Sequence, residues 1–126
     1  MTQITIHNLI KIDEQTEVIR EVVSGDYHQK NGSHFLVYQN ELSEKVVMKY
    51  DDEMLTITRF SSPSTIIKLH PKVATRTAIA TPVGQQVFDV TTNSHQALSD
   101  GFKTAYQFCQ GATEIAQYTL EVRFSD

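Results

Sequence analysis

The stretch Glu44-Lys45-Val46-Val47-Met48-Lys49-Tyr50-Asp51-Asp52-Glu53-Met54-Leu55-Thr56-Ile57-Thr58-Arg59-Phe60-Ser61 decides the fold class. On either side of the acidic centre, apolar residues alternate with polar ones, as a half-buried strand requires because successive side chains point to opposite faces. A two-residue turn at Asp51-Asp52 sets Met48 opposite Leu55 and Val46 opposite Ile57, on one face with Tyr50. A slip by one residue would turn this whole apolar set outward, so turn and pattern together predict a β-hairpin. In that register Arg59 falls opposite Glu44.

The same alternation extends in both directions from this hairpin. Upstream, Thr2 to Ile12 places Ile4, Ile6, Ile10 and Ile12 on one face. Glu17 to His28 follows a polar turn at 13–16, and Asn31-Gly32 is a two-residue hairpin signal leading into Ser33 to Asn40. Downstream, Ser62-Pro63-Ser64 breaks the pattern before Thr65 to His70. Pro71-Lys72 then separates that segment from Val73 to Thr81, and Pro82-Val83-Gly84 precedes Gln85 to His95. Asp100-Gly101 reads as another hairpin turn, with Ala97 to Ser99 before it as a fray or short turn and Phe102 to Cys109 after it. Tyr118, Leu120, Val122 and Phe124 line a last strand. Helical periodicity is nearly absent, and no link is long enough for a parallel crossover.

About ten strands with short connections predict an all-β fold, an antiparallel up-and-down meander β-barrel filling one domain over residues 1–126; a β-sandwich is the alternative. A closed sheet of eight or more strands removes exposed edges and can hold one small ligand. The 126 residues, 40% hydrophobic and 21% charged, supply one core. No apolar window approaches a membrane span, and the opening residues do not read as a signal peptide. Cys109 is the only cysteine, so a reducing, cytoplasmic setting is expected.

Charge is unevenly laid out within a net of −4. Met54 to Phe88 contains Arg59, Lys68, Lys72 and Arg76, with His70 among them, and no acid. This cationic sector could attract an anion or a nucleic-acid backbone, or be solvated surface charge, which is the simpler reading. The five histidines, His7, His28, His34, His70 and His95, are scattered without metal-ligand spacing, so no metal is expected. His28 and His34 flank a hairpin on opposite faces and read as exposed. Cys109 and Ser61, Ser62 and Ser64 lack the context of a nucleophile, and Asp51, Asp52 and Glu53 read as a solvated hairpin tip. No catalytic constellation and no cofactor are expected.

Polar groups on apolar faces carry more information, because a buried polar group must find a partner in protein, water or ligand. Asn8 lies between Ile6 and Ile10, Arg59 continues the Leu55 and Ile57 face, and Tyr106 alternates with Phe102, Thr104 and Phe108. With Tyr38, these are the candidate ligand-binding residues: Arg59 for an anionic group, the tyrosines for hydroxyls and ring faces. A cross-strand ion pair with Glu44 is the simpler account of Arg59.

The sequence also resembles the YwiB-like family of small bacterial calycin-like proteins, a domain of unknown function. Five features carry the resemblance: Ile4-Thr5-Ile6-His7; Glu17-Val18-Ile19 leading to Ser24-Gly25-Asp26-Tyr27; the Leu55 to Arg59 strand; Pro82-Val83-Gly84 before Val90-Thr91-Thr92; and Tyr118-Thr119-Leu120. Where that family has a glycine soon after the strand arginine, this chain has Phe60-Ser61-Ser62. The resemblance implies a calycin or lipocalin-like barrel and no established activity, and the tryptophan typical of true lipocalins is missing. The expectation is therefore a non-enzymatic cytoplasmic barrel binding a small apolar, amphiphilic or anionic molecule. The rival is a protein-interaction or nucleic-acid-associated module using Arg59 to Arg76. Neither a membrane nor a nucleic acid is the expected partner, and a homodimer is compatible with the sequence.

Overall fold

The computed structural model describes residues 2–61 and 64–125. Ten strands make up its regular structure: β1 (Thr2–Ile12), β2 (Gln15–Lys30), β3 (Ser33–Gln39), β4 (Lys45–Tyr50), β5 (Leu55–Phe60), β6 (Thr65–Leu69), β7 (Thr75–Thr81), β8 (Gly84–Leu98), β9 (Gly101–Gln110) and β10 (Thr113–Ser125). They form one antiparallel sheet in the order β6-β5-β4-β3-β2-β1-β10-β9-β8-β7. Each strand therefore lies beside its neighbours in sequence, and the terminal strands pair with each other from Gln3↔Ser125 to Lys11↔Gln117. This is the up-and-down meander barrel that the alternation predicts. Ser62 and Pro63, the expected strand break, lie outside the described residues.

The deciding hairpin forms with a different register. Tyr50 pairs with Leu55, Met48 with Ile57 and Val46 with Arg59, two residues away from the predicted pairing. The cause is the Asp51 carboxylate, whose Oδ1 accepts hydrogen bonds from the Glu53 and Met54 amides at 2.8 and 2.9 Å. Those bonds hold the link open at four residues, Asp51 to Met54, closed by the Asp51 amide donating to the Met54 carbonyl. A shift of two residues keeps every side chain on its own face, so Val46, Met48, Tyr50 and Leu55 are buried as expected. Burial on its own would raise the Asp51 pKa, but the two amide donors hold it below the ordinary carboxylate value. Stability from this turn is thus present above the ordinary carboxylate pKa and is lost as the pH falls through the lowered one.

The second departure is at the β8–β9 turn. The turn residues are Ser99 and Asp100, and Gly101 already pairs with Leu98 and with Arg123. Ala97 and Leu98 complete β8 instead of fraying.

Gly25 lets β2 serve two neighbours. It pairs with Thr2 of β1 and with Tyr38 of β3, at the point where β2 leaves one partner and gains the other. A Cβ there would sit 2.2 Å from the Val37 carbonyl oxygen and 2.9 Å from Ile4 Cδ1, so only glycine lets the strands approach this closely.

The barrel closes without a full ladder between β6 and β7. They meet at an isolated antiparallel bridge, His70↔Val73. Beyond it, threonine hydroxyls replace amide donors: Thr75 Oγ1 donates to the Lys68 carbonyl and Thr77 Oγ1 to the Ile66 carbonyl at 2.8 Å. Both bonds keep the register of the bridge. Thr77→Val retains shape but leaves the Ile66 carbonyl without this donor, and is expected to cost about 1–2 kcal/mol. Faster amide exchange confined to β6 and β7, with β1 and β10 unchanged, checks this; uniform exchange would show that the hydroxyls do not hold the seam.

Inside, the core draws on every strand but β2 and β7: Ile4, Leu36, Tyr50, Leu55, Leu69, Val90, Phe102 and Val122 are fully buried.

Candidate ligand site at the open end of the barrel

The strand directions give the barrel two different ends. At one end a run of rings crosses from wall to wall: Phe124 on Tyr27 (4.3 Å between centroids), Tyr27 on His34 (5.9 Å), His34 on Tyr50 (4.8 Å), Tyr50 on Phe102 (4.7 Å) and Phe102 on His95 (6.3 Å). Tyr27 Oη and His34 Nδ1 are hydrogen-bonded at 2.7 Å. His95 Nε2 lies 2.8 Å from the Asp51 carbonyl oxygen, which can only accept, so the imidazole is protonated at Nε2. Its Nδ1 meets Thr104 Oγ1 at 2.7 Å. His95 thereby ties β8 and β9 to the β4–β5 link and shuts this end. His34 is half-buried in the ring run, not an exposed hairpin residue as its lone spacing suggests.

The other end is open and asymmetric. On the β8–β10 wall, Phe88, Phe108, Tyr106 and Tyr118 form a cluster with centroid separations of 4.9–5.9 Å, which fills that half. Facing it, β2 to β7 carry smaller and polar inward residues. There a cavity of about 310 Å³ is lined by Glu21, Tyr38, Asn40, Val46, Ile57, Arg59, Thr65, Ile67 and Ile79. It lies at the small end of the range typical of ligand pockets. An open groove at the fork between β2 and β3, lined by Val23 to Asp26, Val37 to Asn40 and Lys45, shares Tyr38 and Asn40 with the cavity. The groove and the cavity therefore meet at the same two side chains.

Each lining group is placed by its strand. Tyr38 lies one residue before the end of β3, opposite Gly25, where a Cβ on the glycine would crowd the Tyr38 Cβ at 3.0 Å. Burial, and then the nearby Glu21 carboxylate, push the Tyr38 phenol up to about 12. Arg59 is the last residue but one of β5, and its Nε is buried without a hydrogen bond among the described residues. Glu44 Oε1 lies 3.8 Å from that nitrogen, close enough for an ion pair but too far for a hydrogen bond. Glu44 is held there by Asn40, whose Nδ2 donates to it at 3.0 Å. The Arg59–Glu44 pair thus forms even though the register puts Arg59 opposite Val46.

Of the four residues singled out from sequence, Tyr38 and Arg59 line this cavity, whereas Asn8 and Tyr106 do not. Tyr106 is buried in the ring cluster, which raises its phenol pKa strongly, with the Tyr118 ring as a second cause. Asn8 pairs with Leu120 and Ile19, and its Oδ1 is buried with no partner among the described residues. Glu21 escaped the sequence reading because a glutamate in an alternating strand reads as an outward charge. Its inward direction was available from register, since it sits opposite Ile6 on the buried face of β1. Among the described residues there is no cluster of histidine, cysteine or acidic side chains able to hold a metal ion.

The phenols give an alkaline prediction. Tyr38 and Tyr50 both ionise near 12 when folded, against an ordinary value of 10.0. Burial favours the neutral form, so stability is complete below pH 10 and falls as the pH rises through the folded-state values. Ultraviolet phenolate titration should show tyrosines that ionise only with unfolding; simple titration at the ordinary value would contradict their burial.

This architecture has known relatives. Residues 4–122 match a domain of unknown function, DUF1934. The chain belongs to the DUF1934 family. No curated protein matches this DUF1934 chain in sequence. Among solved structures it is similar to the ywiB protein from Bacillus subtilis, with a TM-score of 0.80 at 18% identity, covering 99% of this chain and 92% of that one. At that identity the likeness establishes the shared fold. The family description carries no activity, so function rests on the cavity of this DUF1934 chain itself. The chain contains no helix long and apolar enough to cross a membrane, among the described residues.

Proposed function

We propose that this protein is a non-enzymatic barrel that binds a small molecule, with an apolar body and a polar head, in the cavity between β2 and β7. One observation carries the reading: the interior is packed with rings on one wall and left hollow on the other, where Val46, Ile57, Ile67 and Ile79 face the polar groups of Glu21, Tyr38, Asn40 and Arg59. A barrel that needed only stability would fill that space, since close packing is the norm for interiors. The groove beside Tyr38 supports access from solvent. A reducing cytoplasmic setting suits the single, unpaired Cys109.

The rival use of the cationic sector has less support. Arg59 is neutralised by Glu44, and Arg76 Nε donates to Asp89 at 3.0 Å. Lys68 and Lys72 are left as exposed charges, too few for strong electrostatic attraction to nucleic acid.

Native mass spectrometry of the purified protein tests the proposal. A bound small-molecule mass that disappears on denaturation is expected; bare protein from every host and growth condition would count against it. The unpaired Asn8 Oδ1 offers a control outside the cavity. Asn8→Leu removes a buried unsatisfied acceptor and is expected to raise stability by about 1 kcal/mol without changing any bound mass. A raised melting temperature in denaturation scans checks the first part, and a destabilised protein would show that Asn8 has a solvent partner.

A further inference from the structure

The cavity has an electrostatic polarity that its single arginine conceals. Two charged side chains line it, Glu21 from β2 and Arg59 from β5. Arg59 already has a counter-ion, because Glu44 approaches its Nε at 3.8 Å. Glu21 makes no ion pair or hydrogen bond with any described residue. It stands between Ile19 and Val23 on the inward face of β2, directly across from Ile6. The sum over the three groups is one negative charge, and it belongs to Glu21. Apart from the paired Arg59, the lining offers Glu21 no cation: Tyr38 and Thr65 supply hydroxyls, the Asn40 amide already donates to Glu44, and Ile57, Ile67 and Ile79 are apolar. The negative field of Glu21 is felt at the Tyr38 oxygen, where it adds to burial in disfavouring the phenolate. A carboxylate at the edge of an apolar cavity, with no cation of its own, is best satisfied by a charge that arrives with the ligand.

We propose that the cavity selects ligands bearing a cationic nitrogen on a short apolar body, with Glu21 as the counter-ion, the three isoleucines as the apolar wall and the Arg59–Glu44 pair as a neutral lip. This rests on the ligand-binding reading above, and sharpens it against the anionic head group that Arg59 alone suggests. The cavity volume of about 310 Å³ accommodates a body of eight or so carbons.

The test is a titration of the full chain with three probes of equal length, octylammonium, octanoate and 1-octanol, followed by the methyl resonances of Ile57, Ile67 and Ile79. On the unaltered protein octylammonium should bind at least about tenfold more tightly than either of the others, as one charge-assisted contact predicts. In Glu21→Gln that preference should vanish while 1-octanol binding stays. Glu17→Gln removes the same charge from the same face of β2, but at a position outside the cavity, and should leave the preference intact. Equal loss in both variants would show that net charge alone drives it and overturn the proposal. Tighter binding of octanoate, abolished by Arg59→Gln, would also overturn it while leaving the barrel as a binding protein. If none of the probes shifts the three methyls, the ligand-binding reading itself falls. Unchanged methyl spectra of the probe-free variants establish that folding is intact.

Discussion

Replacing Gly101 by alanine is expected to abolish folding at ordinary temperatures. A Cβ at that position would lie 1.8 Å from the Val122 carbonyl oxygen and 2.8 Å from its carbonyl carbon, and the backbone φ is +153°. Backbone atoms of a paired strand cannot move aside as a flexible side-chain tip can. Gly101 pairs with Arg123 on one side and Leu98 on the other, so relief would have to unzip β9 from β10 or from β8. The loss should reach about 4 kcal/mol or more, a large share of the stability of a domain this size. Circular dichroism with denaturant titration measures it. Asp100→Ala is the matched control, since it alters the same turn but removes only side-chain contacts, the ion pair and hydrogen bond to Arg123 at 2.8 and 3.0 Å, and should leave the fold intact. An alanine variant at 101 as stable as that control would mean that β9 and β10 do not approach this closely.

Tyr50→Ala should produce the next largest effect, about 3–5 kcal/mol, as deletion of a buried aromatic ring does. The side chain is 1% exposed. It stands in the middle of the ring run, with His34 at 4.8 Å on one side and Phe102 at 4.7 Å on the other. Its removal therefore separates the rings of β2 and β3 from those of β8 and β9, and the shut end of the barrel loses its centre. Tyr50→Phe keeps the ring and should cost far less. Thermal denaturation of the two variants side by side separates ring packing from the hydroxyl, and a phenylalanine as damaging as the alanine would place the stabilisation in the hydroxyl instead.

These positions also mark how far the residues could be read before the fold was known. Strand existence was legible because alternation is a local property: Ile4 and Ile6, Val46 and Met48, Leu120 and Val122 all turn inward as their spacing demands. The family match over residues 4–122 agrees with the motifs that suggested it. Register was less legible. The extra two residues in the Asp51 to Met54 link depend on a side chain accepting two amides, which competes with a tight turn by a small energy difference. At Ser99-Asp100 the strand boundary was set by how closely Gly101 can approach Val122, a contact with a strand twenty residues further on.

The candidate site divides in the same way. Arg59 could be singled out as a polar group on an apolar face, and Tyr38 as a tyrosine able to offer a hydroxyl and a ring face. Nothing local distinguishes Glu21 from Glu17, its neighbour four residues earlier, as the one that reaches the cavity. Likewise Tyr106 and Tyr38 have similar sequence surroundings, yet one is packed among rings and the other borders empty space. Those assignments depend on what the opposite wall contributes.

By itself, then, the order of residues determined the strands, their inward faces and the meander that joins them, because each follows from period-two alternation and short turns. Tertiary structure alone decided where the barrel is shut by His34, Tyr50, Phe102 and His95, where threonine hydroxyls seal β6 to β7, and which side stays hollow. The physical reason is that a cavity is a difference between two surfaces: it exists where side chains from strands far apart in sequence fail to meet, and no single segment records that distance.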